Sequence, residues 1–174
     1  MMLPATTELS NPNTELLTLI QSCPLHPVEV PVPSAELSAK IFAIEKVMLS
    51  LPQVELPVSH HFTGGVYTRT ITVPAGVWMT GAVHRMPNMN FLLKGRVTII
   101  TENGPVELSA PAILPSPAGT KRFGFVHEEM VWSTVLGTEL TDPEEIEKVC
   151  TFNDPEEHRL MLEGSGQLSL LWEN

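Results

Sequence analysis

The residues best suited to chemistry crowd into one stretch, TVPAGVWMTGAVHRMPNMNFLLKGRV (72–97), where His84 precedes two asparagines, Asn88 and Asn90. A neutral imidazole ligates metals or exchanges a proton near neutral pH. Two amides offer donors and acceptors together, and can recognise a hydroxyl-rich or carbonyl ligand without any metal. Asparagine after Met-Pro also serves turns, because its side chain bonds nearby backbone, so turn and pocket roles both stand for Asn88 and Asn90. A second candidate comes from strand alternation. In VYTRTITV (66–73), Tyr67, Arg69, Ile71 and Val73 share one face, and its apolar members turn Arg69 inward. An inward arginine must be paired or meet an anion, through a pocket ligand, a buried salt bridge or an intersubunit contact. His60 and His61 are neighbours in a strand-like run, so they face opposite ways and only one can reach a common cavity.

Other chemistries find little support. The chain has no Gly-x-Ser-x-Gly, no phosphate-binding or dinucleotide glycine loop, and no paired carboxylates in its basic centre. Cys23 and Cys150 lie far apart and outside any zinc spacing, which reads as two reduced thiols. Trp78, Trp132 and the eight methionines read as core and interface filling.

The elements that must position these groups change period along the chain. Residues 1–33 carry six prolines and read as an irregular arm, with one turn of helix near TELLTLIQ. Ser34 offers an N-cap, and Leu37, Ile41, Ile44, Met48 and Leu51 then recur at helical steps until Pro52, so residues 34–52 are expected to form an amphipathic helix. From Gly65 to Gly137, short β-rich runs alternate with PAG, KG, ENGP, SAP, SPAG and HEE turns. Seven or eight strands at that spacing make a sandwich or barrel, placed at 60–138. Residues 141–174 are expected to hold an acidic helix, capped by Thr141 or Asp142 with Pro143 following, and then a tail.

Composition bounds the rest. With 174 residues, 43% hydrophobic and 17% charged, the chain has enough material for one domain with its own core. A net charge of −10 argues against nucleic acid. The charge is uneven: residues 60–122 hold six basic and two acidic side chains, while 123–174 hold two and twelve. Such a basic centre suits a small anion, or is neutralised by acidic side chains elsewhere in the same or another subunit. No apolar run spans a bilayer and no basic-then-apolar leader opens the chain, so a cytoplasmic protein without membrane contact is expected.

The glycine and proline skeleton resembles that of the cupin family. Starting at Gly76, its first motif places Ala82 and His84 at the two histidine positions, Asn88 at the glutamate and Gly95 at the closing glycine. Its second motif, anchored on Pro117 and Gly119, places Pro111 at the opening glycine, Arg122 at the histidine and Val126 at the asparagine. More narrowly, HHFTGGVYTRTITVPAG, SPAGTKR and HEEMVW resemble small cupin-like proteins of unassigned function from tailed phages and prophages. The likeness spans residues 65–136. It implies a mainly β fold, a double-stranded β-helix or jelly-roll barrel, flanked here by the N- and C-terminal helices. It also implies a homodimer or larger homo-oligomer.

In that family three imidazoles and a carboxylate hold one divalent transition metal; of those four, His84 alone remains. A metal at His84 would therefore need recruits such as Asn88, Asn90 or His127, and otherwise His84 is a pocket or core histidine. If Arg122 points inward as the lost histidine would, it replaces a metal ligand with a fixed positive charge. Lys121 then alternates outward into solvent. The favoured expectation is a non-catalytic binder of an anionic or polar small molecule, with a degenerate metal site and, as the narrower resemblance implies, a phage origin. Its ligand-binding residues would be Arg69, His84, Asn88, Asn90, Arg122 and His127. The alternatives are a metal-dependent cupin enzyme, such as an isomerase or dioxygenase, and a structural or interaction module whose barrel is packed shut.

Overall fold

The computed structural model describes the backbone of residues 27–171 and the side chains of residues 27–164. The expected helical turn near TELLTLIQ and Cys23 lie outside the described residues. The end of the arm runs beside the barrel: Pro27 bridges Ile113 in parallel, and the Val28 N–H donates to the Ile113 carbonyl at 2.7 Å.

Helix α1 (Ala35–Met48) begins where Ser34 accepts a bond from the Leu37 N–H at 3.1 Å, with Glu36 in its first turn and Lys46 in its last, complementing the helix dipole. Its buried stripe is Ser38, Ile41, Phe42 and Glu45, whereas Ile44 and Leu51 stay exposed. The helix is thus turned by about one residue from the purely apolar stripe, because Glu45 has a buried partner in the barrel and Phe42 packs with Val83 and Phe152.

The strands are β1 (Val58–Thr63), β2 (Val66–Val73), β3 (Trp78–Thr80), β4 (Val83–His84), β5 (Asn88–Thr101), β6 (Gly104–Ser109), β7 (Ala112–Ser116), β8 (Phe123–Gly137) and β9 (Thr151–Phe152). Seven pair antiparallel, in the order β1-β2-β8-β5-β6, with β3 also on β8 and β7 also on β5. The long strands β5 and β8 belong to two layers. One half of each builds β1-β2-β8-β5-β7, and the other half builds β3-β8-β5-β6. The corner falls where the β5–β8 register shifts between Leu92 and Val97. Gly95 sits there at φ 88°, and a Cβ would collide with the carbonyl oxygens of Glu128 and Glu129, so only glycine fits the bend. The result is a mainly β, double-stranded β-helix jelly-roll barrel flanked by helices.

Leu92, Val97, Ile99, Leu114, Val126 and Met130 form part of the core between the layers. Each large side chain so buried contributes roughly 1.5–3 kcal/mol. Helix α2 (Pro143–Cys150) packs Ile146 and Cys150 against Tyr67 and Leu136. Its cap is Asp142, which accepts from the Glu144 N–H at 3.1 Å with Pro143 following. The expected single C-terminal helix is two. The chain straightens at Thr151–Phe152 to pair with β4, and Asp154 then caps a new start by accepting from the Glu157 N–H at 2.7 Å. Helix α3 (Pro155–Leu171) follows and takes in most of the expected tail. Proline at 155 disfavours a helical residue before it, which separates the two helices. Among the described residues no helix is long and apolar enough to cross a membrane.

Candidate functional site

A cavity of about 890 Å³ opens into the barrel, with α1 and α2 contributing to its wall. Arg69 of β2, His84 of β4, Asn88 and Asn90 of β5, and Arg122 just before β8 all line it. Alternation explains the placement: Asn88 and Asn90 share the inward face of β5, and Trp132 and Thr134 share that of β8. The barrel is not packed shut.

Asn90 is the hub of the polar wall. Its amide nitrogen donates to Asn88 Oδ1 at 2.8 Å and Ser116 Oγ at 2.7 Å, while its oxygen accepts from Trp132 Nε1 at 3.0 Å and Thr134 Oγ1 at 2.7 Å. Two donors and two acceptors exhaust a carboxamide's usual capacity. Asn90 is therefore a positioning residue, and little of it is left for a ligand.

Arg122 is the opposite case. Its Nη1 donates to Ser116 Oγ, whereas Nε and Nη2 are buried without any partner. Burial pulls the guanidinium down to about 10, so it stays charged at neutral pH. His84 is held below the ordinary histidine value, first by burial and then by the charges of Arg69 and Arg122. Its imidazole is consequently neutral at pH 7. The turn carrying Arg122 is braced from behind. The Gly119 N–H donates to the His84 carbonyl at 2.9 Å, and the Gly119 carbonyl lies 2.8 Å from Nε2 of the buried His158 on α3.

Arg69 lines the cavity on the face that alternation assigns it, yet remains exposed. Solvent at the mouth supports its charge, so the desolvation that would have forced a partner on it does not arise.

Lys121 corrects an expectation. It is fully buried, 2.8 Å from both oxygens of Glu45 and 2.9 Å from the Gly81 carbonyl, with Asn153 Oδ1 at 3.1 Å and the Phe42 ring 4.6 Å below. Outward alternation fails because residues 117–122 form a turn and irregular chain rather than a strand. Burial lowers the Lys121 ammonium's pKa and Glu45 opposes that shift.

The basic centre is now accounted for. Arg85 pairs with Glu157, Lys94 with Glu129, Arg96 with Glu107 and Glu128, and Lys121 with Glu45. Among the described residues, Arg69 and Arg122 alone of the six lack a carboxylate partner, and both line the cavity.

His127 does not join them. Val126 points into the core, so its neighbour turns outward, where Nε2 meets Thr98 Oγ1 at 2.7 Å and lies 3.9 Å from Glu107. Lining groups outside the expected ligand set include His60, Ser116 and Trp132. His60 bonds through Nδ1 to the Tyr67 hydroxyl at 2.7 Å, Ser116 ties Asn90 to Arg122, and Trp132 donates its indole N–H. Alternation back from Thr134 would have found Trp132; nothing local marks Ser116.

The donors do not fit the transition metal that the sequence resemblance implies. Among the described residues no group of three or more His, Cys, Asp or Glu side chains comes together. His84 stands alone between two guanidinium charges, which raise the cost of a dication there.

No family model matches the chain, and no curated protein does. Solved structures with similar strand arrangements include a cupin-2 domain protein from Shewanella frigidimarina, at 12% identity and a TM-score of 0.39 over 55% of this chain and 92% of that one. Another is KdgF from a Halomonas species, at 14% and 0.42 over 50% and 86%. A third, an RmlC-like cupin with a double-stranded β-helix fold from Methanocaldococcus jannaschii, gives 16% and 0.41 over 53% and 86%. Likeness this distant assigns no activity, and the barrel is fixed by the chain's own strand pairing.

Proposed function

We propose that this chain is a non-catalytic binding protein whose barrel cavity takes a small anionic or polar molecule. The observation that carries the reading is the distribution of charge: four of the six central cations are neutralised within the fold, and the two that are not line one cavity. A buried cation with unmade hydrogen bonds costs stability, and an incoming anion offsets that cost. The neutral His84 adds a polar group that can donate or accept. A metal-dependent enzyme is disfavoured by the donor set, and a closed interaction module by the cavity.

The proposal also takes the protein to be cytoplasmic, phage-encoded and homo-oligomeric, following its composition and the sequence resemblance. Native mass spectrometry of protein from its natural host tests the reading, since one spectrum reports subunits, metal and retained ligand. The expected result is a retained small molecule and no stoichiometric metal. About one metal ion per chain, lost in His84→Ala, would contradict it.

A further inference from the structure

The two orphaned nitrogens of Arg122 are not a random pair. Nε–H and the adjacent Nη2–H lie along one edge of the planar guanidinium and point the same way, which is the side-on fork that receives both oxygens of a carboxylate. The remaining nitrogen, Nη1, is already held by Ser116, and Ser116 is held by Asn90. In this conformation that chain of bonds satisfies Nη1 alone and leaves the other edge of the guanidinium unmatched. We infer that the cavity selects a monocarboxylate with an apolar body, and that the Nε/Nη2 edge of Arg122 is its recognition element. This deepens the binding reading above and rests on it.

Two features of the cavity narrow the class. Ile71, Val97, Ile99, Met130 and Leu136 line it, so most of a ligand would meet hydrocarbon. Arg122, half-buried and without a carboxylate partner, matches one negative charge, since His84 is neutral and Arg69 is exposed. A phosphate dianion would carry a second charge into a site that offers no second such cation. Both nitrogens are shielded from solvent in this conformation, so binding requires Arg122 to turn that edge into the cavity.

The test uses the full chain and three probes of matched body: benzoate, benzamide and phenyl phosphate, titrated by calorimetry and by ligand-detected NMR. Benzoate is expected to bind at least about tenfold more tightly than benzamide, the size of one good charge-assisted contact, and more tightly than phenyl phosphate. Arg122→Lys keeps the charge but loses the fork, and is expected to weaken benzoate about tenfold. Arg122→Met is expected to abolish the preference for benzoate over benzamide, with circular dichroism verifying the fold; should it not fold, Arg122→Lys carries the test. Equal binding of benzoate and benzamide, tighter phenyl phosphate, or unchanged benzoate affinity in Arg122→Lys overturns the carboxylate inference while leaving a binding cavity. Failure of all three probes to bind overturns the carboxylate inference too; the binding reading itself falls only if the protein also retains no small molecule from its host.

Discussion

Lys121 and Arg122 are adjacent in sequence, both cationic and both largely withdrawn from water, yet they sit in opposite circumstances. Lys121 has a carboxylate, a backbone carbonyl and an amide oxygen around its ammonium, which fills its three donors. Arg122 has one hydroxyl and two unmade bonds. Burial alone therefore does not mark a binding residue. A satisfied charge joins α1 to the barrel, whereas an unsatisfied one is the group whose partner has to arrive from outside.

The sharpest way to break this contrast is to delete each charge in turn. Lys121→Met leaves Glu45 buried and uncompensated and is expected to cost about 3–5 kcal/mol in urea unfolding. The double variant Lys121→Met/Glu45→Leu should recover most of that loss, because no lone charge remains. Asn90→Ala comes next. It strips partners from Trp132, Thr134 and Ser116, and a loss of about 2–3 kcal/mol is expected from the orphaned buried groups. Arg122→Met should behave in the reverse sense to Lys121→Met, changing stability by less than about 1 kcal/mol or raising it, while removing ligand binding. If Arg122→Met destabilises as strongly as Lys121→Met, the two cations do the same job and the contrast is false.

His84 gives a smaller effect with a definite sign. Its folded-state value lies below the ordinary one, so on acidification the unfolded chain takes up the proton first. Stability should be fully present well above about pH 6.5, the ordinary histidine value, and should fall as the pH drops through it. His84→Gln should flatten that part of the pH–stability curve measured by thermal unfolding. Arg69 and Arg122 face His84 across the cavity, and His60, Tyr67, Glu45 and Glu147 also line it, so the difference between wild type and variant, not the raw curve, reports His84. The smallest effect belongs to Arg69→Ala, expected within about 0.5 kcal/mol because an exposed charge without a partner contributes little.

Much of the scaffold is readable from local chemistry. Gly95 and the Pro117–Gly119 turn mark backbone positions that the bends demand, and Ser34 and Asp142 cap the helices as their types suggest. Period-two alternation puts Arg69 on the cavity side of β2 and, with the turn at Met86-Pro87, puts Asn88 and Asn90 inside. The misses have one physical origin: partners distant in sequence. Nothing near Glu45 announces that Lys121, 76 residues away, will bury it, so an apolar stripe through Leu37 and Ile44 looks like the packing face of α1. Lys121 escapes sequence reading for the same reason, and because residues 117–122 form a turn and irregular chain in which strand alternation does not hold. His127 looks close to Arg122 along the chain, but Val126 occupies the inward position beside it. The saturation of Asn90 likewise depends on β7 and β8, which no local pattern around residue 90 contains.

The central claim is that the Nε/Nη2 edge of Arg122 waits for an anion. Its most direct test is the arginine Nε–H NMR resonance of Arg122, assigned through Arg122→Lys and followed while benzoate is titrated into the full chain. The account predicts that this resonance moves downfield and saturates at the same concentration as the calorimetric isotherm. A resonance that stays in place while benzoate binds would contradict it.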